Sequence, residues 1–171
     1  MAANGHSTLV EEYEIWHTPV IGAYILWEFT NSYQKTHKEK RGPIVLLHFL
    51  AGAILTDSVL MPIFKRKTSL AQYVRHLRTG QGVLAYHRLH DRVRERMEWT
   101  MRAIDIAVAG GYLTWDVDTA TLKAKSVRSR GDSASKRGER ILEQAERAKA
   151  LGRFFAKIEI SKIAELLGVV F

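Results

Sequence analysis

The chain has 171 residues, 46% apolar and 26% charged, the composition of an ordinary globular protein with room for one core. It contains no cysteine. This excludes disulfides, thiolate zinc sites, iron–sulfur clusters and a cysteine nucleophile together, and it fits a reducing, cytoplasmic setting. A net charge of +8 and a pI of about 9.8 favour an anionic partner, without choosing among nucleic acid, anionic lipid and an acidic protein surface.

Residues 1–12 read as a flexible lead-in; no charged segment leads into an apolar one, so no secretory signal is expected. Tyr13 to Trp16 reads as a short extended piece. Thr18-Pro19 then predicts an N-cap and a first-turn proline. Val20, Ala23, Tyr24 and Trp27 follow at helical spacing, and Ile21, Ile25 and Phe29 fill other faces. This helix should end near Tyr33, and its apolar coverage makes it central to a core or an interface.

Gly42-Pro43 predicts the start of a second helix, with Met61-Pro62 as its stop. The run from Ile44 to Leu55 is too short for a bilayer, which takes about 20 apolar residues, so a buried core helix is expected. On it His48 reads as a hydrogen-bonded core histidine, and Asp57 beyond it as a buried acceptor or a solvent edge. SLAQ at 69–72 is a capping-box pattern for a short helix with Leu70, Val74 and Leu77 on one face.

A long helix should follow from Val83 to Ala109. Leu89, Val93, Met97, Met101, Ile104 and Val108 line one side, and Arg88, Arg92, Arg94, Arg96 and Arg102 the other. Asp91, Glu95 and Glu98 interleave with the arginines, which favours intrahelical ion pairs over a phosphate-binding face. His87, His90 and Asp91, with His76, have a spacing compatible with a metal, but no second motif accompanies it, and no metal site is assigned. Gly110-Gly111 caps the helix. Tyr112–Trp115 and Thr121–Ala124 form a hairpin around a turn at Asp116–Thr119.

Residues 125–138 read as a mobile basic loop. From 123 to 140 there are seven basic residues (Lys123, Lys125, Arg128, Arg130, Lys136, Arg137 and Arg140) against Asp132 and Glu139, which makes this the best site for DNA or another anion. A helix over Lys136–Ala156 with small residues at Ala145, Ala148 and Gly152 permits close approach of another helix. A last helix, Ile158–Leu167, ends at Gly168, and the apolar tail Val169, Val170 and Phe171 should dock. Trp16, Trp27, Tyr33, Val169, Val170 and Phe171 are the candidate partner interface, since aromatic anchors dominate binding hot spots.

Taken together, the expected fold is mainly α: one domain over 1–171, with an apolar helical hub at 13–62, a winged-helix-like part at 68–124 (helix, helix, β-hairpin wing) and C-terminal helices at 139–171. No catalytic motif, phosphate loop or cofactor site stands out, and no enzyme is expected.

The ordered segments TPVIGAYILWEFTNSY, GPIVLLHFLAGAIL with LMP at 60–62, SLAQYV, AIDIAVAGGYLTWD and AKALGRFFAKIEISKIAELLGVVF carry a resemblance. From Thr18 to Phe171 the chain resembles the middle components of bacterial three-component ABC-ATPase systems. The basic loop and the N-terminal stretch look particular to this chain, and Tyr73 stands where relatives often carry tryptophan. The resemblance implies a non-catalytic adaptor with no cofactor. Its partners would be an SMC-like coiled-coil ABC ATPase and an effector such as a nuclease, with double-stranded DNA as a further contact and no membrane. Such systems, Lamassu-like ones among them, are associated with defence against phage and plasmids. The alternative reading is a stand-alone winged-helix DNA-binding regulator.

Overall fold

The computed structural model describes residues 18–57, 59–60, 69–80, 82–126 and 136–170. Among these residues are seven helices and one two-stranded antiparallel sheet. In chain order they are α1 (Pro19–Thr36), α2 (Val45–Leu55), α3 (Leu70–Thr79), α4 (Val83–His87), α5 (Leu89–Ala109), β1 (Leu113–Asp116), β2 (Thr121–Ala124), α6 (Lys136–Phe155) and α7 (Ile160–Leu167). The fold is mainly α with one hairpin and C-terminal helices, as the periodicity predicts.

Helix α1 is the axis of the molecule. Pro19 stands in its first turn, where its missing N–H costs nothing, and the Thr18 carbonyl accepts from the N–H groups of Ile21 and Gly22. It buries Ile25, Leu26, Trp27, Phe29 and Tyr33 against α6 on one side and α5 on the other. Phe29 meets Phe155 of α6 edge-on at 5.9 Å. Gly152 makes this crossing tight, because a Cβ there would overlap the Phe29 carbonyl oxygen and lie 3.0 Å from the Tyr33 nitrogen. Polar Gln34, Lys35 and Thr36 still complete the last turn of α1, three residues past the expected end at Tyr33.

The second helix is shorter at both ends than its prolines suggest. The chain before Val45 pairs with the hairpin, with Ile44 extended and bridging Thr121: Leu122 N–H donates to the Pro43 carbonyl and Val45 N–H to that of Ala120. A side chain at Gly42 would overlap the Leu122 carbonyl oxygen. Pro43 therefore serves as an edge residue, not as a helix start. At the other end α2 stops at Leu55. The Asp57 carboxylate turns the chain by accepting from the N–H groups of Val59 (2.7 Å) and Leu60 (3.0 Å). The expected stop at Met61-Pro62 lies outside the described residues.

Ser69 caps α3 by accepting from Gln72 N–H. The helix expected over Val83–Ala109 is two helices, α4 and α5, parted at Arg88. Helix α5 packs chiefly on α1 and α2, while α3 packs on α4 and α7. Gly111, at φ 74°, reverses the chain into the hairpin. There Leu113 pairs with Ala124 and Asp116 with Thr121. Gly168, at φ 64°, ends α7. One core cluster runs through every helix, and a smaller one joins Ala23, Trp27, Ala107 and Leu113.

Candidate anion-binding and partner surfaces

Of the basic run, Lys123 and Lys125 project into solvent at the end of the hairpin, and Arg140 is half-buried on α6. Arg128 and Arg130 lie outside the described residues, as do the side chains of Lys136 and Arg137. Tertiary contacts fix where this run begins. The Trp27 indole N–H donates to the Lys125 carbonyl at 3.0 Å, and Ala124 N–H donates to Gln34 Oε1 at 3.1 Å. The hairpin end is thus tied to α1 by two hydrogen bonds across more than 85 residues of sequence.

A cleft of about 550 Å³ opens beside these bonds. Trp27, Glu28, Asn31, Gln34, Lys35, Lys40, Ala124, Ser126 and Lys149 line it. Glu28 lies at its base, only 6% exposed. Its Oε1 accepts from the Tyr24 hydroxyl at 3.1 Å and sits 3.6 Å from Lys149 Nζ. Burial, then the Glu28 charge, raises the Tyr24 pKa. Lys149 is held charged above its ordinary range by its hydrogen bond to Glu146, with burial opposing and Glu28 assisting. Lys40 has a left-handed backbone (φ 54°), and its Nζ donates to the Lys35 carbonyl at 2.6 Å. The composition of the sequence does not reveal this cleft. Its signal is a polar stripe, Glu28, Asn31, Gln34 and Lys35, along one side of a largely apolar helix.

The candidate partner residues are not one surface. Trp27 is 8% exposed and Tyr33 5%, both committed to packing, and burial raises the Tyr33 pKa. Val169 is buried and Val170 is 81% exposed at the end of the described chain. Trp16 and Phe171 lie outside the described residues.

The arginine helix is electrostatically mixed. Arg102 pairs with Glu98 four residues earlier, the geometry its spacing predicts. Arg92 instead leaves the helix to meet Asp57, 1% exposed, at 2.7 Å, pinning α5 to the end of α2. The face of α4 and α5 left in solvent carries Arg88, Arg94 and Arg102 together with Asp91, Glu95, Glu98 and Asp105. It presents no positive field to a phosphate backbone.

His48 is fully enclosed. Its Nδ1 faces the Ile44 carbonyl at 3.1 Å and its Nε2 the Thr30 hydroxyl at 2.8 Å. Donation from Nδ1–H leaves Nε2 to accept from Thr30, whose proton is shared with the Leu26 carbonyl 2.7 Å away. Burial holds the His48 pKa down near 4, against a smaller lift from the Ile44 carbonyl. It is a neutral core group. Among the described residues no three His, Asp or Glu side chains gather as a metal site.

The family of ABC-three component (ABC-3C) system Middle Component 3 matches residues 6–171. The chain belongs to that family. The match runs from residue 6 through the basic loop to Phe171. No curated protein and no solved structure matches. A middle component of a multi-component ABC system works with partner subunits. Among the described residues no helix is long and apolar enough to cross a membrane.

Proposed function

We propose that this middle component is a non-catalytic, cytoplasmic adaptor. It links an SMC-like ABC ATPase to an effector subunit, such as a nuclease, in a bacterial complex that acts against phage and plasmids. The observation that carries the reading is family membership across nearly the whole chain. The ATPase would supply the nucleotide chemistry, and this chain the joining surfaces.

Contact with DNA is the finer part of the proposal. The winged-helix-like part expected over 68–124 (helix, helix, β-hairpin wing) offers one route to it. In such a module the last helix reads the groove. The mixed charge of the exposed α5 face argues against that use here, and thus against the stand-alone regulator. The basic run from Lys123 to Arg140 is the better phosphate contact, acting without sequence preference.

Pairwise capture tests the reading. Tagged protein is co-expressed with each neighbouring gene product in turn, and the retained mass is measured. Retention of the ATPase supports the adaptor. Failure to retain either neighbour, together with sequence-selective DNA binding by the chain alone, would favour the regulator.

A further inference from the structure

The cleft beside α1 combines groups that no part of the adaptor reading uses. Three lysines, Lys35, Lys40 and Lys149, border it, yet its base is a nearly buried carboxylate, Glu28. A simple anion would meet the lysines and be repelled by Glu28. A simple cation would meet the reverse. The cleft therefore suits a molecule that carries negative charge at one end and hydrogen-bond donors at the other.

Spacing narrows the class. Glu28 and Lys35 are seven residues apart on α1, two turns and about 10 Å along one face. That is about the reach from the amino edge of a nucleobase to its 5′-phosphate. Asn31 and Gln34 lie between them, both lining the cleft. Side-chain amides and carboxylates are the groups that read base edges, with glutamate accepting from the amine of cytosine. The Trp27 indole, 8% exposed, lends a small apolar part of the lining. A volume of about 550 Å³ falls within the usual range for small-molecule sites. An acidic peptide shares only the lysine half of this chemistry, because it offers its side-chain charge to Glu28 as well.

We propose that the cleft between α1, α6 and the end of β2 binds a nucleotide, free or within a single strand. Glu28 accepts from the exocyclic amine of the base, Asn31 and Gln34 hydrogen-bond the base and sugar, and Lys35 and Lys40 meet the phosphate. This does not rest on the adaptor role.

Calorimetric titration of the full chain with CMP and UMP, alongside dC and dT oligonucleotides, tests the assignment: cytosine offers an amine at position 4 beside an acceptor N3, and uracil a carbonyl there beside an N3–H. CMP should bind about fivefold or more tighter than UMP. Glu28→Gln, whose amide can donate to the uracil carbonyl, should abolish or reverse that preference. Lys35→Ala should weaken both ligands by a similar factor and leave their ratio unchanged. Asn31→Ala, at a partly exposed position, should weaken CMP and keeps the test independent of whether Glu28→Gln folds. Mononucleotide binding identifies a free nucleotide as the source; binding of the dC strand alone identifies a single strand. Three results would each overturn the proposal. The first is no binding of any of the four at about 1 mM. The second is equal affinity for CMP and UMP that Glu28→Gln leaves unchanged. The third is tighter binding of a poly-glutamate peptide than of any nucleotide.

Discussion

Replacing Gly152 by alanine tests the tightest crossing in the molecule. In an unconstrained helix the exchange gains about 1 kcal/mol, because alanine is the better helix former. At Gly152 the new methyl would overlap the Phe29 carbonyl oxygen and approach Tyr33 N to 3.0 Å. Both are backbone atoms of α1, which no rotamer change can move aside. The helices must separate by several tenths of an ångström, and the Phe29–Phe155 and Glu28–Lys149 contacts across the same seam loosen with them. Overpacking of this kind costs about 1–3 kcal/mol. Because the clash is with backbone, the cost should fall in the upper part of that range. Set against the propensity gain, the net loss is about 1–2 kcal/mol. For a domain of this size that lowers Tm by roughly 2–8 °C. Thermal unfolding followed by circular dichroism reads it directly. An unchanged or raised Tm would mean that α1 and α6 do not cross at backbone contact, and the packing around the axis would need redrawing.

Other substitutions test other seams. Trp27→Ala removes a side chain 8% exposed and its hydrogen bond to Lys125, and should cost about 3–5 kcal/mol in urea unfolding; a loss under 1 kcal/mol would show that the indole is not a core group. Asp57→Asn discharges a carboxylate that meets Arg92, and should cost about 1–3 kcal/mol, with Arg92→Met recovering part of the loss. His48 has a folded pKa near 4, below the 6.5 of a free imidazole, so only the unfolded chain takes up its proton as pH falls between those values. Its contribution is complete above that upper value and is lost on acidification, by roughly 3 kcal/mol in all. A urea series from neutral to acid pH should show the loss, and His48→Gln should flatten it; an equal slope in the variant would assign the titration elsewhere. Neutralising the seven basic residues from Lys123 to Arg140 should flatten the salt dependence of DNA binding; an unchanged slope would move the phosphate contact off this run.

Much of this architecture is legible in the residues, and the exceptions share a cause. Pro19 marks a helix start because its missing N–H falls in the first turn, where the helix needs none. Pro43 looks the same in sequence, but its carbonyl is taken by Leu122, a partner almost 80 positions away. The end of α2 is set by the Asp57 side chain and not by the distant Pro62, and the break at Arg88 has no proline or glycine to announce it. His48 reads as a hydrogen-bonded core group and is one, and of the two readings open for Asp57 the buried acceptor is the one that holds, because a lone polar residue in an apolar run must find a partner. The cleft is only half legible: its polar stripe is in the sequence and its enclosure is not. Glu28, Asn31 and Gln34 are ordinary on a helix surface, and only the approach of α6 and β2 encloses them.

The adaptor claim is tested most directly by tagging the ATPase and asking whether the effector is retained, with and without this chain. The effector should be recovered in fixed ratio only when this chain is present. Recovery of ATPase and effector together in its absence would refute the adaptor role.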